Sequence, residues 1–127
     1  GTREHPALKE KETFSLVRLK VGDLDFPQGK YPTTEKIYKR IEELGLELCP
    51  PETGPHYRIK YTNQPMGEWL RIGMKQITGR DGNPNVFVLG RNGYGLWLYD
   101  FWARPTGGWH PENEFVFRFR KLKPLKT

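Results

Sequence analysis

The sequence predicts an α+β fold: a curled antiparallel β-sheet, or partly open barrel, of about five to six strands with one packed α-helix. Three observations predict it. Only one segment has the apolar spacing of an amphipathic helix, and from residue 56 onward the apolar residues recur with a period of two. Dipeptides typical of tight turns separate the alternating segments. A lone helix beside such strands buries its apolar stripe against one face of the sheet.

Composition divides the chain into three parts. Residues 1–13 are polar and charged with no apolar period, which predicts a flexible linker or arm. Residues 14–121 hold all the periodic segments and are predicted to form a single α+β domain. Residues 122–127 are predicted to be a basic tail. The first strand is predicted at 14–21, where FSLVRLKV is rich in apolar residues.

The helix is predicted at 33–45, in the segment TTEKIYKRIEELG. Thr33 and Thr34 can cap its first turn, where the Glu35 carboxylate suits the positive end of the helix dipole. Gly45 suits the left-handed conformation that commonly ends a helix. The apolar stripe, which we expect to be buried against the sheet, consists of Ile37, Ile41 and Leu44.

Five later segments alternate between apolar and polar residues and are predicted to be strands. They are 56–62, 68–77, 85–90, 96–103 and 114–120. Asp81–Gly82 and Asn92–Gly93 lie between strands, and such dipeptides supply the positive φ that tight hairpins need. We therefore expect Gly93 to have positive φ at the centre of a hairpin. The helix-facing side of the last strand is expected to carry Phe115, Phe117 and Phe119.

Segment 96–102 is the strongest candidate for a binding surface, because large side chains occupy both of its faces. One face carries Trp97, Tyr99 and Phe101, and the other carries Leu96, Leu98, Asp100 and Trp102. Either the sheet curls so that loops cover both faces, or one aromatic row faces solvent. The predicted curl favours the first alternative. The second would provide a platform on which nucleic-acid bases stack.

The net charge of +6 lies entirely in the second half of the chain. Residues 1–50 have nine basic and nine acidic side chains, whereas residues 51–127 have twelve basic and six acidic ones. Such an excess is typical of a protein that is kept soluble by its charge. It is also typical of a protein with an anionic partner, either nucleic acid or an acidic protein surface. Basic side chains beside exposed rings are typical of proteins that bind single strands. The candidate binding residues are Arg58, Lys60, Arg71, Trp97, Trp109, Arg118 and Arg120.

These features predict a non-catalytic binding module for an anionic partner, with single-stranded nucleic acid as the leading ligand. The alternative is a small metal-independent ribonuclease of toxin type, which needs a general base, a general acid and a cation near the phosphate. Its candidate catalytic residues are His56, Glu68 and His110. No dinucleotide, metal or serine-nucleophile motif occurs in the sequence, so we expect neither a cofactor nor a metal.

Cys49 is the only cysteine, which excludes an internal disulfide and favours a reducing, cytoplasmic location. Because it follows Leu48 and precedes two prolines, we expect a buried small hydrophobe rather than a nucleophile. No apolar run approaches the roughly 20 residues that a membrane helix needs. We therefore expect no membrane partner.

Several spaced blocks of the sequence resemble a recurring pattern among uncharacterised bacterial proteins. The blocks are GLELCP (45–50), GPHYRIKY (54–61), QPMGEWLRIGM (64–74), VFVLG (86–90), GLWL (95–98), ARP (103–105) and EFVFRFRK (114–121). The resemblance covers most of residues 14–121 and implies a self-contained bacterial domain. It implies no activity and no site residue. A third alternative function stays open with it, that of a protein-interaction or accessory domain in a larger bacterial protein.

Overall fold

Residues 15–120 are described by the structure, a computed structural model, and they form an α+β fold. The predictions for the arm at 1–13 and the tail at 122–127 lie outside these residues. The strands are β1 (Leu16–Lys20), β2 (Leu46–Glu47), β3 (Trp69–Ile72), β4 (Ile77–Thr78), β5 (Pro84–Asn92), β6 (Gly95–Trp102) and β7 (Glu114–Phe119). The helices are α1 (Thr34–Glu43) and α2 (Thr53–Lys60), and one 3-10 turn covers Val21–Leu24.

The strands form one open sheet, which is mixed and not purely antiparallel as expected. Its path runs β1–β7–β3–β5–β4, while β2 also pairs with β7 and β6 pairs with β5. Only β3 and β7 are parallel among the pairs in residues 15–120. Along the chain, β4, β5 and β6 lie between β3 and β7. They form the long connection that a parallel pair needs. Seven strands and two helices correct the expected five to six strands and one helix.

Helix α1 begins where its capping residues predict. Thr33 Oγ1 accepts a hydrogen bond from the Lys36 amide at 3.2 Å, which satisfies one of the free amides of the first turn. Ile37 and Ile41 are buried, as the apolar stripe predicts. They belong to a core cluster that also contains Val21, Leu24, Leu46, Phe115 and Phe117. The helix is therefore held mainly by its apolar face against β2 and β7.

Leu44 was expected to complete this stripe, but its side chain is 46% exposed. The helix ends one residue earlier, at Glu43. Gly45 then turns the chain with a φ of 83°, a value that glycine adopts without strain. Leu44 is thus the capping residue and lies outside the helical repeat that directs Ile37 and Ile41 toward the core.

Residues 56–62, which were predicted to be a strand, lie mostly in helix α2. Pro55 lies in its first turn, where a missing N–H removes no helical hydrogen bond. Tyr57 and Tyr61 both pack against the core, and a spacing of four suits one face of a helix as well as alternate positions of a strand. The exposure of Ile59 distinguishes the helix from the strand. A strand would bury it beside the tyrosines, whereas on the helix it is 73% exposed.

Strand β7 is buried on both faces, although one buried face was expected. Phe115 and Phe117 pack in the cluster formed with α1. Val116 points to the other face and belongs to a second cluster, against which Tyr57 of α2 and Tyr61, just after α2, pack. Phe119, expected on the face that contacts the helix, is 52% exposed at the last position of the strand.

The β5–β6 turn is shifted by one residue from its predicted position. Asn92 pairs with Gly95, so Gly93 and Tyr94 are its central residues. Asn92 Oδ1 accepts a hydrogen bond from the Tyr94 amide at 2.8 Å, which closes the turn through a side chain. Positive φ occurs at Gly95 (137°) and not at Gly93, contrary to prediction. In the other predicted turn, Gly82 has the expected positive φ of 80°.

The end of α1 can be tested with two substitutions that remove side chains of equal size. Ile41→Ala is expected to lower the free energy of unfolding by about 2–5 kcal/mol, because this side chain is buried. Leu44→Ala is expected to change it by about 0.5 kcal/mol or less. Urea unfolding followed by circular dichroism gives both values. Equal losses in the two variants would contradict an end of α1 at Glu43.

The position of positive φ can be tested in the β5–β6 turn. A Cβ at either Gly93 or Gly95 would meet no heavy atom within 4 Å, so only the backbone angle distinguishes the two sites. Gly95→Ala is expected to destabilise by about 1–3 kcal/mol because of its positive φ. Gly93→Ala is expected to be neutral or slightly stabilising. The midpoints of thermal unfolding report the difference. A larger loss in Gly93→Ala than in Gly95→Ala would support the predicted turn, with positive φ at Gly93.

Candidate functional site

Four aromatic side chains form a row on one face of the sheet, which we call the aromatic strip. It consists of Trp69 of β3 and of Trp97, Tyr99 and Phe101 of β6. The strand register explains the row, because Gly90 of β5 pairs with Trp69 on one side and with Trp97 on the other. Alternation along β6 then places every second ring on the same face.

Tyr99 lies at the centre of the strip. Its ring centroid is 5.4 Å from that of Trp69 with 11° between the ring planes, and 6.3 Å from that of Trp97 with 24°. Phe101 lies 6.3 Å from Trp69 with its ring tilted by 51°. Nearly parallel ring pairs contribute about 0.5–1.5 kcal/mol each beyond the area they bury. The rings therefore hold one another in position without a ligand.

Gly90 provides the space for this arrangement. A Cβ at Gly90 would lie only 2.9 Å from Cε2 of Tyr99, so a larger residue would push the ring off the sheet. Because Gly90 has no side chain, the Tyr99 ring lies close over the backbone of β5. Trp97 is also held at its edge, since its Nε1 donates a hydrogen bond to Asn92 Oδ1 at 2.8 Å.

Neither of the two helices in residues 15–120 covers the strip. Helix α2 packs on the opposite face of β5, where a Cβ at Gly54 would lie 2.8 Å from Phe87. Helix α1 packs over β2 and β7. As a result, Trp69 is 45% exposed, Trp97 41% and Phe101 50%. Contiguous exposed apolar surface of this kind marks interaction sites in soluble proteins.

Arg71 lies beside the strip, two residues after Trp69 and on the same face. Its partners across the sheet are Val88 of β5 and Phe115 of β7. The guanidinium carbon lies 5.1 Å from the centroid of the Trp109 ring, at the distance of a cation–π contact. Burial lowers the pKa of Arg71. Among the residues that the structure describes, the side chain of Arg71 has neither a hydrogen bond nor an ion pair, and its Nε is enclosed.

Trp109, a predicted binding residue, is largely packed within the fold. Its Nε1 donates a hydrogen bond to Thr34 Oγ1 at 2.7 Å, at the start of α1. Its ring meets Phe115 edge-on at 4.9 Å. These contacts fix the loop between β6 and β7 on helix α1. They also fix the ring against which the Arg71 guanidinium lies.

One end of the strip continues into a polar cluster around Trp102. The Trp102 ring stacks on Phe101 at 5.9 Å, and its Nε1 donates to Asp81 Oδ2 at 2.6 Å. The Arg104 guanidinium lies 5.2 Å from the same ring. Hydrogen bonds from Asn83 and Trp102 lower the pKa of Asp81. The cluster ties the β4–β5 turn to the end of β6.

Arg58 was predicted to bind a ligand, but its guanidinium is bonded within the protein. Nη1 donates to Gln64 Oε1 at 2.8 Å and to the carbonyls of Gly90 at 3.2 Å and Trp97 at 3.0 Å. Nη2 donates to the carbonyl of Tyr61. Burial lowers the pKa of Arg58. These bonds link α2 to β5 and β6, so Arg58 fixes the helix to the strands on the face opposite the strip.

The remaining predicted basic residues do not gather beside the strip. Lys60 is exposed at the end of α2, on the opposite side of the sheet. Arg118 forms an ion pair with Glu47 of β2 at 3.1 Å. Arg120 donates to the carbonyl of Glu42, near the end of α1, at 3.2 Å. Of the predicted basic residues, Arg71 alone shares the face of the strip among those the structure describes.

The three candidate catalytic residues also lie on separate elements. His56 is exposed on α2. His110 lies in the β6–β7 loop, where its Nδ1 accepts a hydrogen bond from the Glu112 amide at 3.1 Å and its ring is 5.7 Å from Tyr31. Glu68 precedes β3 and belongs to a different network. Between residues 15 and 120, no hydrogen bond or ring contact joins any two of these candidates.

Glu68 anchors a partly buried polar network. Its Oε2 accepts a hydrogen bond from Arg18 at 2.8 Å, and its Oε1 accepts from the Tyr61 hydroxyl at 2.9 Å and from Gln64 at 3.2 Å. Arg18 also pairs with Glu114 at 3.1 Å. Burial raises the pKa of Glu68, but the hydrogen bonds and the charge of Arg18 outweigh it, and the pKa falls. The network joins β1 and β7 to the segment between α2 and β3.

Cys49 is buried, as predicted, and lies in the cluster on the α2 side of the sheet. Its thiol donates a weak hydrogen bond to the carbonyl of Val116 at 3.5 Å. Burial raises the pKa of this thiol to about 11. The group is therefore a neutral thiol at physiological pH and lacks the thiolate that a nucleophile needs.

No family model, curated protein or solved structure matches the chain. The resemblance to bacterial proteins therefore stays a prediction. Over the part of the chain that the structure describes, neither helix has the length and apolar composition required to cross a bilayer. Within the same part, no three His, Cys, Asp or Glu side chains are grouped so that they could hold a metal ion.

The role of the Glu68 network can be tested by its pH dependence. Because folding lowers the pKa of Glu68, its carboxylate stabilises the fold above the unfolded pKa, and this contribution is lost as pH falls through the folded value. Glu68→Gln is expected to lower the free energy of unfolding by about 1–3 kcal/mol at pH 7. The difference from wild type should shrink below about pH 4.

Glu112→Gln provides the matched control for this experiment. Glu112 pairs only with Lys20 among the described residues, and its side chain is 70% exposed. An exposed ion pair contributes little, so this variant should stay within about 0.5 kcal/mol of wild type at both pH values. A loss in Glu68→Gln that does not change with pH would show that the charge of Glu68 is not what stabilises the network.

Proposed function

We propose that the protein is a non-catalytic binding module, that the aromatic strip is its binding surface, and that single-stranded nucleic acid is its ligand. The observation that carries the proposal is the row of nearly parallel rings of Trp97, Tyr99 and Trp69, with both tryptophans about half exposed, on a part of the sheet that no described helix covers. Proteins that bind single strands without sequence preference stack bases on such rings.

Rigidity supports this function for the strip. Trp97 is held by Asn92, and Tyr99 is held between two tryptophan rings. A surface whose side chains are already ordered loses little conformational entropy when a ligand binds. Each stacked base contributes about 1–3 kcal/mol, so contacts with two or three bases give dissociation constants in roughly the micromolar to millimolar range.

Charge supports the same ligand. The net charge of +6 attracts a polyanion and speeds its association, with a strong dependence on salt. Sequence-specific recognition would require polar groups aimed at base edges, whereas rings alone stack on any base. We therefore propose a ligand of little or no sequence preference. The ribonuclease alternative gains no support from the structure, since His56, Glu68 and His110 do not meet.

Fluorescence anisotropy with labelled single strands at low salt tests the proposal. Trp97→Ala and Trp69→Ala are each expected to weaken binding by roughly 5- to 150-fold, which corresponds to about 1–3 kcal/mol of stacking. Tyr94→Ala is the matched control. Tyr94 lies at the tip of the β5–β6 hairpin, outside the strip, and is 91% exposed. Its removal should leave binding unchanged.

The outcomes separate the alternatives. Absence of binding up to about 1 mM wild-type protein, the weak end of the expected range, would reject nucleic acid and leave a protein partner as the ligand of the strip. Equal losses in Tyr94→Ala and Trp97→Ala would show that binding does not depend on the strip. Cleavage of the RNA strand that disappears in His56→Ala would support the ribonuclease instead.

A further inference from the structure

We propose that Arg71 binds a phosphate of the single strand whose bases stack on the aromatic strip. The inference rests on the proposed function and adds the position of the nucleic-acid backbone to it. Arg71 lies on the β7 side of the strip, because its neighbours across the sheet are Val88 and Phe115. The single strand is then oriented with its bases over the strip and a phosphate over Arg71, toward β7.

The first argument is that Arg71 has a charge without a counterion. Its Nε is enclosed and has no hydrogen-bond partner, and no carboxylate pairs with its guanidinium among the described residues. Partial burial of an unpaired charge costs free energy. Arg18 and Arg58 show the usual solution in this fold, since each is part-buried and donates several hydrogen bonds to neighbouring oxygens. An anionic ligand would supply acceptors for the Nη groups of Arg71, which are not enclosed, as the protein does for the other two arginines.

The second argument is that the Arg71 guanidinium is already held in position. The ring of Trp109 lies 5.1 Å from it, and the ring is itself fixed by the Thr34 hydroxyl at 2.7 Å. A guanidinium presents a planar fork of donors that matches two oxygens of one phosphate. With its orientation set by stacking, the fork loses little entropy when it binds.

The third argument is the position of this charge relative to the rings. Val88 of β5 pairs with Arg71 of β3 on one side and with Tyr99 of β6 on the other. The cation and the ring therefore lie two strands apart on one face of the sheet. Nucleic acids join a planar base and an anionic phosphate within each repeating unit. Among single-strand binders, this combination of stacking rings and a cation near the backbone is the usual one.

The salt dependence of binding tests the inference directly. Each phosphate contact contributes about 0.7 to the slope of log K against log salt concentration for single strands. Arg71→Gln is expected to reduce the slope by about 0.7 and the affinity by roughly tenfold at low salt. Trp97→Ala should lower the affinity at an unchanged slope. Lys60→Gln, which removes a cation on the α2 side of the sheet, should change neither value.

A second comparison covers the case in which Arg71→Gln fails to fold. Arg71→Lys keeps the charge but loses the planar fork and its stacking on Trp109. Wild type and Arg71→Lys are compared on phosphodiester and uncharged methylphosphonate strands of one sequence. We expect Arg71→Lys to bind the phosphodiester strand several-fold more weakly than wild type and the methylphosphonate strand equally well.

The outcomes distinguish this inference from the proposed function. If wild type binds no single strand, both fail. If binding depends on Trp97 while Arg71→Gln keeps the wild-type slope, only the role of Arg71 is rejected. An equal loss for Arg71→Lys on both strands would likewise assign Arg71 a purely structural role, in which it supports Trp109.

Discussion

Strand β7 is the element on which the rest of the structure depends. Its edges pair with β1 on one side and with β2 and β3 on the other, so both edges are occupied. Both of its faces are occupied as well, because Phe115 and Phe117 pack under α1 while Val116 packs on the α2 side. Each helix is therefore assigned to one face, and the parallel pairing with β3 orients the hairpins that carry the candidate site.

This arrangement explains why the face that carries α1 is left without a helix where β3, β5 and β6 lie. Helix α1 is held at the β2–β7 part of the sheet, and α2 covers the other face at β5 and β6. A solvated sheet face normally carries polar residues. Here Trp69, Trp97 and Phe101 occupy it, and they remain about half exposed although larger rings usually find cover. This exposure is the feature on which the proposed binding function rests.

The arginines show how differently one residue type is used within a single domain. Arg18 and Arg58 bind oxygens of the protein and join elements far apart in sequence. Arg71 stacks on Trp109 and keeps its charge unpaired among the described residues. A count of basic residues therefore predicts an anionic partner but does not locate it. The position of an anion site depends on which guanidinium groups have no acceptor within the protein.

The sequence by itself determined the elements whose signals are local. Thr33 and the Ile37–Ile41 spacing define the start and buried face of α1, and strict alternation along β6 places its aromatic residues in rows. Residues 56–62 were misassigned, because the spacing of Tyr57 and Tyr61 fits a helix and a strand equally well. Only tertiary packing distinguishes the two for such a segment.

Only the tertiary structure decided which surface is free and which charges are used. The partners of Arg18 lie 43 to 96 residues away along the chain, and those of Arg58 include carbonyls of β5 and β6. Trp69 joins the strip because Gly90 pairs with it and with Trp97 at once. Strand order and register arise from packing between distant segments, and no periodicity within one segment encodes them.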